Sequence, residues 1–380
     1  MDAPLYVEVS PLLADTLTGI GRFTARLVHA LARRAPLCLV STLPEYGARG
    51  ASLTRFLPPG RELPLAPGEL PEPDADLEAW RRRLLRLPLR PHDLQRSRHS
   101  PALFTMHRPP QRHFRRELGV FYDFTPLVLP WTHAAQTVAS FGAFFGQTCK
   151  LFDKALAISA STKADARWLS ALPPEDVVVG YPGPSTCVAG HAHTGPVERS
   201  KNVVLVVSTL EERKNGPFLL DWFGRTEALP ADAELWWVGP KGWWASRGWL
   251  ADLRRAGRQR AARHVRFLGM VSDAELCRLY RQATFSVYPS LYEGFGFPVL
   301  DALLHGTPVV CSYNSSLEEF AGPGVFYFDA GDPASLDDAC RVLLASRPES
   351  IDRDDLRRRC SWDRLARQVL DLSRGVPLAA

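Results

Sequence analysis

Apolar positions recur along this chain in short runs that alternate with glycine-rich turns and helical segments. Near the start, residues 5–9 alternate as a strand does, and Leu27 and Leu31 fall on one face of a helix predicted over residues 23–34. The second half repeats the alternation, with predicted strands at residues 203–207, 234–238, 285–289, 307–311 and 325–329. This order of elements predicts an α/β protein.

Length and composition allow two domains. A chain of 380 residues with 46% hydrophobic residues is long enough for two separate cores. Residues 183–200 contain glycine, proline, histidine and serine with few apolar side chains, which is typical of a linker. We therefore place the domain boundary in this stretch.

Cysteine usage and the lack of long apolar runs bear on the compartment. The seven cysteines are scattered and form no C-x-x-C pair, so neither a disulfide framework nor a zinc site is indicated. The sequence opens without a basic-then-apolar signal, and no apolar run approaches the roughly 20 residues that span a bilayer. These features favour a cytoplasmic protein, and peripheral attachment to the inner face of the plasma membrane stays open.

Positive charge is concentrated between Arg81 and Arg116, although the net charge of the chain is only +5. This stretch contains eleven arginines and a single acidic residue, Asp93. Residues 77–87 also have a helical pattern with apolar side chains opposite the arginines, so an anionic membrane surface is one candidate partner. A solvated face, or a helix packed on a sheet, explains the same pattern. Nucleic acid is disfavoured because no stacking or groove-reading motif accompanies the arginines.

Residues 285–322 are the most informative stretch, with a pattern of strand, loop, helix and strand. The loop carries Glu293, and Gly294 and Gly296 lie on either side of Phe295. A glycine-flanked turn facing a helix N-terminus gathers backbone N–H groups and the positive end of the helix dipole, which suit a phosphate or diphosphate. An ordinary α/β connection, with glycine for tight packing, is equally compatible with the pattern.

A second glycine pair, Gly19 and Gly21, separates the first predicted strand from the helix at residues 23–34. The order of strand, glycine loop and helix predicts another turn that faces phosphate. Gly-x-Gly by itself is weak support, and a simple tight turn explains it as well.

These stretches resemble the retaining, nucleotide-sugar-dependent glycosyltransferases of family 4. The signature of that family is a glutamate, seven residues and a second glutamate; Glu293 fills the first position and Asp301 the second, within YEGFGFPVLDALLHGTPVV. The segments GIGRF around Gly21 and STLEERKN at residues 208–215 also resemble the family, and the similarity extends over nearly the whole chain. The resemblance implies the GT-B fold, an α/β architecture of two Rossmann-like domains with a cleft between them.

The resemblance also implies a role for each part of the chain. We expect an N-terminal acceptor-binding Rossmann-like domain at residues 1–185 and a linker at 186–200. A nucleotide-sugar-binding Rossmann-like domain is expected at 201–355, and residues 356–380 are expected to form a helix that returns to the N-terminal domain.

Site residues are implied by the same motifs. Glu293 is assigned to the sugar hydroxyls and the developing oxocarbenium charge, while Lys214 and Arg213 pair with the donor diphosphate. A surface ion pair of Arg213 with Glu211 or Glu212 is the alternative. The implied donor-binding residues are Gly21, Tyr122, Asp123, Val271, Gly294, Phe295, Gly296 and Asp301.

The expected activity is that of a metal-independent, retaining hexosyltransferase without a cofactor other than its nucleotide-sugar co-substrate. GDP-mannose is the first choice of donor because the chain is similar to bacterial polysaccharide and O-antigen mannosyltransferases; a 6-deoxyhexose or a UDP-sugar donor comes next. The expected acceptor is a glycan or a lipid-linked saccharide in bacterial polysaccharide or glycoconjugate synthesis.

Two positions depart from the family. Tyr122 stands where a histidine close to the donor sugar is usual, which replaces an imidazole with a larger phenol and suggests a different contact to the sugar 6-position. Asp301 is one methylene shorter than the usual glutamate, so its carboxylate reaches less far toward the ribose hydroxyls.

Three other functions would share some of these features. A glycosidase would also use two acids, but it would have no need of the basic pair Arg213 and Lys214. A dinucleotide oxidoreductase would carry a third glycine after Gly19 and Gly21. A non-catalytic GT-B binding protein stays open because of Tyr122 and Asp301.

Overall fold

The computed structural model of the chain describes residues 3–14, 17–41, 61–68, 77–106, 108–185, 202–240, 259–346 and 350–376. The chain divides into two compact units. The first unit comprises Met1–Leu127, Ala135–Ser185 and Cys360–Ala380, and the second comprises Val128–Ala134 and Thr186–Arg359. The predicted linker at residues 186–200 lies outside the described residues.

The first unit is built on a largely parallel sheet. Among its described residues the strands are β1 (Leu5–Glu8), β2 (Leu37–Val40), β3 (Arg61–Leu65), β4 (Arg90–Pro91), β5 (Pro101–Phe104), β6 (Arg116–Phe121), β7 (Lys154–Ala157) and β8 (Val177–Val179). Their spatial order is β4-β3-β2-β1-β5-β6-β7-β8, and only the pairings of β3 with β2 and with β4 are antiparallel. The strand order reverses between β1 and β5, and in such sheets ligands bind near the carboxyl ends of the strands at the reversal.

Up to Ser185, the described part of the first unit also contains six α-helices. They are α1 (Gly19–Ala32), α2 (Leu77–Leu84), α3 (Leu94–Arg98), α4 (Thr125–Val128), α5 (Ala135–Ala143) and α6 (Ala160–Leu169). Helix α1 begins four residues before the predicted residue 23, because the Thr18 side chain caps it by accepting a hydrogen bond from the Gly21 N–H group at 3.2 Å. The glycine pair therefore lies in the first helical turn, and the prediction of a loop at Gly19 and Gly21 is wrong.

Several arginines of the predicted basic stretch have partners inside the first unit. Arg108 pairs with Glu117, with both side chains almost fully buried, and Arg96 pairs with the buried Glu62. The apolar side of α2 is also buried, since Trp80 and Leu84 are only 3% and 2% exposed. That side packs into the unit and is not a membrane-facing surface. The arginines of this stretch that remain exposed are Arg82, Arg83, Arg86, Arg90, Arg96, Arg98, Arg112 and Arg115.

The second unit is built on a sheet whose described strands are all parallel. These strands are β9 (Val203–Val207), β10 (Glu234–Val238), β11 (Val265–Gly269), β12 (Phe285–Tyr288), β13 (Val309–Ser312) and β14 (Val325–Phe328), in the order β11-β10-β9-β12-β13-β14. Its helices are α7 (Gly216–Arg225), α8 (Gln259–His264), α9 (Asp273–Gln282), α10 (Phe297–Leu304), α11 (Pro333–Ala345) and α12 (Arg353–Arg359). Strands buried on both faces account for the continuous apolar runs of the sequence. The strand order of this sheet reverses between β9 and β12.

The last helix, α13 (Trp362–Arg374), belongs to the first unit. Its Ser361 cap accepts a hydrogen bond from the Arg364 N–H group, and the Trp362 indole N–H donates to the Pro184 carbonyl at 2.8 Å. Within the described residues, no helix is both long enough and apolar enough to cross a membrane.

Candidate active site

The carboxyl ends of β9 and β12 bring together the charged residues that the sequence singles out. These two strands are neighbours in the second sheet. Arg213 and Lys214 follow β9, and Glu293 follows β12. The reversal of strand order therefore places two cations and a carboxylate at the sheet edge where ligands bind in this class of fold.

A tight turn presents the two cations. Residues Glu212–Lys214 form one 3₁₀ turn, which ends at Asn215 with a φ of +56°. Asparagine tolerates this left-handed conformation better than most residues, and its side-chain amide donates to the Ala330 carbonyl at 2.8 Å. The turn is thereby tied to the loop after β14.

Glu293 binds both cations. Its Oε1 lies 2.5 Å from the Lys214 Nζ, and its Oε2 lies 3.1 Å from the Arg213 Nη1. The Lys214 Nζ also donates to the Tyr288 hydroxyl at 2.8 Å, and the Arg213 Nη1 donates to the Tyr292 carbonyl at 3.1 Å. We call Glu293, Lys214, Arg213 and Tyr288 the Glu293 cluster.

Burial and charge determine the ionisation of the cluster. Glu293 is 6% exposed and Tyr288 3%. Burial opposes ionisation of the Glu293 carboxyl, but the charges of Lys214 and Arg213 outweigh it and lower its pKa to about 2. Burial and the charge of Arg213 lower the pKa of Lys214, while Glu293 opposes that change. Glu293 is thus held as a carboxylate.

The loop after β13 fixes the backbone of Glu293. The Ser315 hydroxyl accepts a hydrogen bond from the Glu293 N–H group at 2.9 Å, and the Ser316 hydroxyl donates to the Glu293 carbonyl at 2.9 Å. Ser315 has a φ of +47°, a left-handed conformation that is costly for a residue with a Cβ atom. The strained residue is the one whose hydroxyl binds the Glu293 N–H group.

The turn after Glu293 contributes backbone and shape. Gly296 has a φ of +99° and precedes the first turn of α10. An added Cβ there would lie 2.7 Å from the Leu317 Cδ2, so both conformation and space require glycine. The Phe295 ring is buried against Phe297 and Phe320, so only the backbone of residues 294–296 can serve the predicted donor contact.

The two remaining predicted donor-binding residues of the second unit lie elsewhere. Val271 follows β11 and directly precedes Ser272, which caps α9. Asp301 lies on α10 and is 1% exposed. Burial, and then the charge of Asp301, raise the pKa of Tyr280, which places the carboxylate near that phenol. The predicted contacts of Val271 with the base and of Asp301 with the ribose stay predictions.

In the first unit, the three predicted residues gather near the carboxyl end of the sheet. Phe23 of α1 packs edge-on against the Tyr122 ring, with centroids 5.0 Å apart. Burial raises the pKa of the Tyr122 phenol. Asp123 accepts a hydrogen bond at 2.9 Å from the N–H group of Thr125, which is the first residue of α4. Gly21 lies one turn before Thr24 on α1.

Several residues that shape both sites were not predicted from the sequence. In the second unit these are Tyr288 and the loop of Asn314, Ser315 and Ser316. In the first unit, Glu8 is 1% exposed at the end of β1, and its backbone carbonyl accepts a hydrogen bond from Thr105 at 2.7 Å. A polar residue at the end of a buried strand, such as Tyr288 before Pro289 or Glu8 at the end of β1, is a sequence signal that could have found these two residues.

Similarity to a known protein family is found in the second unit of the chain. A family model for glycosyl transferases group 1 matches residues 201–346. O-antigen chain mannosyltransferase B of Escherichia coli is 28% identical over 263 residues, which are 65% of this chain and 64% of that protein. MMP alpha-(1->4)-mannosyltransferase of Mycolicibacterium hassiacum is 37% identical over 108 residues, 26% of each chain.

A solved structure is similar over almost the whole chain. Anabaena Alr3699/HepE, crystallised with UDP and glucose, superimposes with a TM-score of 0.64 at 13% identity and covers 98% of this chain and 99% of that one. That likeness concerns the fold. The alignments with the two mannosyltransferases span less than two thirds of the length of either relative.

Proposed function

We propose that this chain, which has the GT-B fold and whose residues 201–346 form a group 1 glycosyltransferase domain, transfers a hexose from a nucleotide-sugar to a saccharide acceptor. The first choice of donor is GDP-mannose. The acceptor is a glycan or a lipid-linked saccharide of bacterial polysaccharide or glycoconjugate synthesis.

The Glu293 cluster is the observation that carries this proposal. Breaking the bond between a sugar and a diphosphate leaves negative charge on the diphosphate, and pre-positioned cations in a buried site stabilise such charge strongly. Lys214 and Arg213 are positioned in this way, with side chains only 11% and 16% exposed. Glu293 beside them supplies a carboxylate for the sugar hydroxyls and for positive charge at the anomeric carbon.

The proposed reaction exchanges one bond at the anomeric carbon. The bond from C1 to the diphosphate oxygen breaks, and the nucleoside diphosphate leaves with the electron pair. The acceptor hydroxyl oxygen forms the new bond to C1 on the same face of the sugar, and its proton passes to the departing diphosphate. Net retention of configuration follows from attack on that face.

The choice of donor rests on the relatives. Both aligned relatives are named as mannosyltransferases, which supports a mannosyl donor, and GDP is the nucleotide that the sequence resemblance favours. The Anabaena protein was crystallised with UDP and glucose, which makes UDP-glucose the second candidate. GDP- and dTDP-linked 6-deoxyhexoses complete the set, because Tyr122 replaces the expected histidine.

A panel of nucleotide-sugars tests the proposal directly. Purified protein is mixed with each donor and with mannose-terminated or lipid-linked saccharides, and release of nucleoside diphosphate is measured beside the anomeric configuration of the product. We expect GDP-mannose to give the highest rate and an α-linked product. A protein that releases no nucleoside diphosphate from any donor would instead be a non-catalytic binding protein.

Lys214 and Arg213 are proposed to take the charge-neutralising role that a divalent cation has in other glycosyl transfers. No group of three or more His, Cys, Asp or Glu side chains in the described parts of the chain is arranged as a metal site. The proposal is tested by adding EDTA, and we expect the transfer rate to stay unchanged. A rate that collapses with EDTA and returns with Mg²⁺ or Mn²⁺ would contradict this role.

A further inference from the structure

We infer that Glu293 acts as an internal competitor for the anionic ligand: in the free protein its carboxylate occupies the two cations that the donor diphosphate must bind, and ligand binding displaces it. This inference rests on the proposed function for the identity of the ligand. The cation pair and its carboxylate are features of the second unit alone.

Each cation has an anchor that does not depend on Glu293. Lys214 donates to the Tyr288 hydroxyl at 2.8 Å, and Tyr288 is buried in β12. Arg213 donates to the Tyr292 carbonyl at 3.1 Å and to the Glu211 carboxylate at 3.0 Å. When Glu293 leaves, both cations therefore keep their positions, and a diphosphate meets a pre-formed site.

Glu293 can leave without a change in the loop. Its N–H group and its carbonyl are bound by Ser315 and Ser316, so the backbone is fixed at both ends of the residue. Only side-chain torsions need to rotate for the carboxylate to move from the cations to a neighbouring sugar. Rotation of a side chain is fast compared with loop motion.

Charge explains why the exchange favours a diphosphate. A nucleoside diphosphate carries more negative charge than one carboxylate and offers several oxygens to a lysine and an arginine together. In the free protein the Glu293 carboxylate contacts both cations, since leaving the Lys214 ammonium without an anion in this site is costly. The Glu293 cluster thus stabilises the free protein and opposes ligand binding by the same contacts.

The decisive experiment compares wild-type protein with Glu293→Gln. Dissociation constants for inorganic pyrophosphate and for GDP are measured by calorimetry at pH 7. We expect Glu293→Gln to bind both ligands at least about tenfold more tightly than wild type, because coupling between close desolvated charges is of that size or larger. Transfer activity should also be lost in this variant, because the proposed function assigns Glu293 to the sugar hydroxyls.

Glu212→Gln is the matched control. Glu212 neighbours Arg213 in the chain and is half-buried, and its neutralisation changes the net charge by the same amount as that of Glu293. General electrostatics should raise pyrophosphate affinity no more than about threefold in this control. An affinity of Glu293→Gln equal to or weaker than that of Glu212→Gln, or no pyrophosphate binding by Glu293→Gln, would overturn the inference.

A second variant covers the case in which Glu293→Gln does not fold, as judged by circular dichroism. In Glu293→Asp the carboxylate is kept but falls one methylene short of the cations. We expect pyrophosphate affinity to exceed that of wild type about threefold or more, and an unchanged or lower affinity would count against the exchange.

The outcomes separate this inference from the proposed function. Tighter pyrophosphate binding by Glu293→Gln, in a protein that releases no nucleoside diphosphate from any sugar donor, supports the exchange and rejects the transferase. Active transfer by wild type, with no gain in affinity in Glu293→Gln, rejects the exchange and keeps the transferase.

Discussion

Two glycine-containing turns of this molecule look alike in sequence and differ in structure. In the first unit, Gly19 and Gly21 lie inside the first turn of α1, and Thr18 accepts the hydrogen bond of the Gly21 N–H group. In the second unit, Gly296 precedes α10 in a conformation that requires glycine, and it follows Glu293 by three residues. A helix cap fixes the first turn, whereas the second turn directly follows a carboxylate that pairs with two half-buried cations.

The difference shows what a strand–glycine–helix pattern can and cannot predict. Local sequence is enough to place glycines near the start of a helix, and both turns have them there. Whether the turn belongs to an anion site depends on charges brought in from other parts of the chain. Lys214 and Glu293 are 79 positions apart and meet because β9 and β12 are neighbours.

Removing one of the two cations beside Glu293 should have the strongest effect on activity. Lys214→Ala should lower the transfer rate at least about 100-fold, since loss of one pre-positioned charge partner in an active site has that size. Nucleoside diphosphate release measures it, with thermal unfolding as the check of the fold. Lys150→Ala, which removes an exposed lysine of the first unit, should stay near the wild-type rate. Near-wild-type turnover in Lys214→Ala would remove Lys214 from the site.

Acid titration tests how much the charge of Glu293 contributes to the stability of the second unit. The pKa of Glu293 is about 2 in the folded protein, below its usual 4.5. The ion pairs therefore stabilise the fold fully above about pH 4.5, and this stabilisation is lost as the pH falls toward 2. At pH 7 we expect Glu293→Gln to lower the free energy of unfolding by about 3 kcal/mol, a gap that narrows between pH 4.5 and 2. Urea unfolding across this range measures it, and a gap independent of pH would contradict the assignment.

Replacing one glycine in each turn should change the free energy of unfolding by different amounts. Gly296→Ala should destabilise the protein by roughly 2 kcal/mol, because the φ of +99° is strained for alanine and the added Cβ lies 2.7 Å from Leu317. Gly19→Ala, where an added Cβ meets nothing within 4 Å, should be neutral or stabilising by up to about 1 kcal/mol. Equal effects of the two changes in denaturant unfolding would show that the turns do not differ as described.

The smallest expected effect concerns the cap of α1. Thr18→Ala should lower the free energy of unfolding by about 1 kcal/mol, because the Gly21 N–H group loses its acceptor. Thr18→Ser keeps the hydroxyl and should recover most of that loss. A neutral Thr18→Ala would mean that the first glycine turn is not fixed by its cap.

Elements of the second unit were predicted well from the sequence. The strand predicted at residues 203–207 is β9, and the one at 234–238 is β10. Both carry continuous apolar runs, as strands covered on two faces do. The resemblance to glycosyltransferases was also confirmed, by the group 1 domain at residues 201–346. The GT-B fold was confirmed by the similarity to the solved structure.

The first unit was predicted less well, because its edge depends on pairing rather than on a local pattern. Strands β3 and β4 fall in a proline- and arginine-rich stretch, and they become strands only by antiparallel pairing beside β2. The arginines of the same stretch looked like a charged surface. Arg96 and Arg108 instead pair with Glu62 and Glu117, and such partners are visible only after folding.

At the candidate site, the sequence supplied the charged residues and the structure supplied their arrangement. Resemblance to a family pointed to Glu293, Lys214 and Arg213, but not to the contacts that join them. The left-handed conformation of Ser315 could not be predicted either, because serine rarely adopts it. Tertiary hydrogen bonds to Glu293 stabilise that conformation.

The outermost strand of the first sheet has a consequence for behaviour in concentrated solution. Strand β4 consists of Arg90 and Pro91 alone, and both are exposed. Proline has no N–H group to offer an incoming strand, and a charged neighbour disfavours the stacking of a second molecule. Among the described residues this edge is therefore a poor template for fibril growth, and we expect concentrated protein not to aggregate through it.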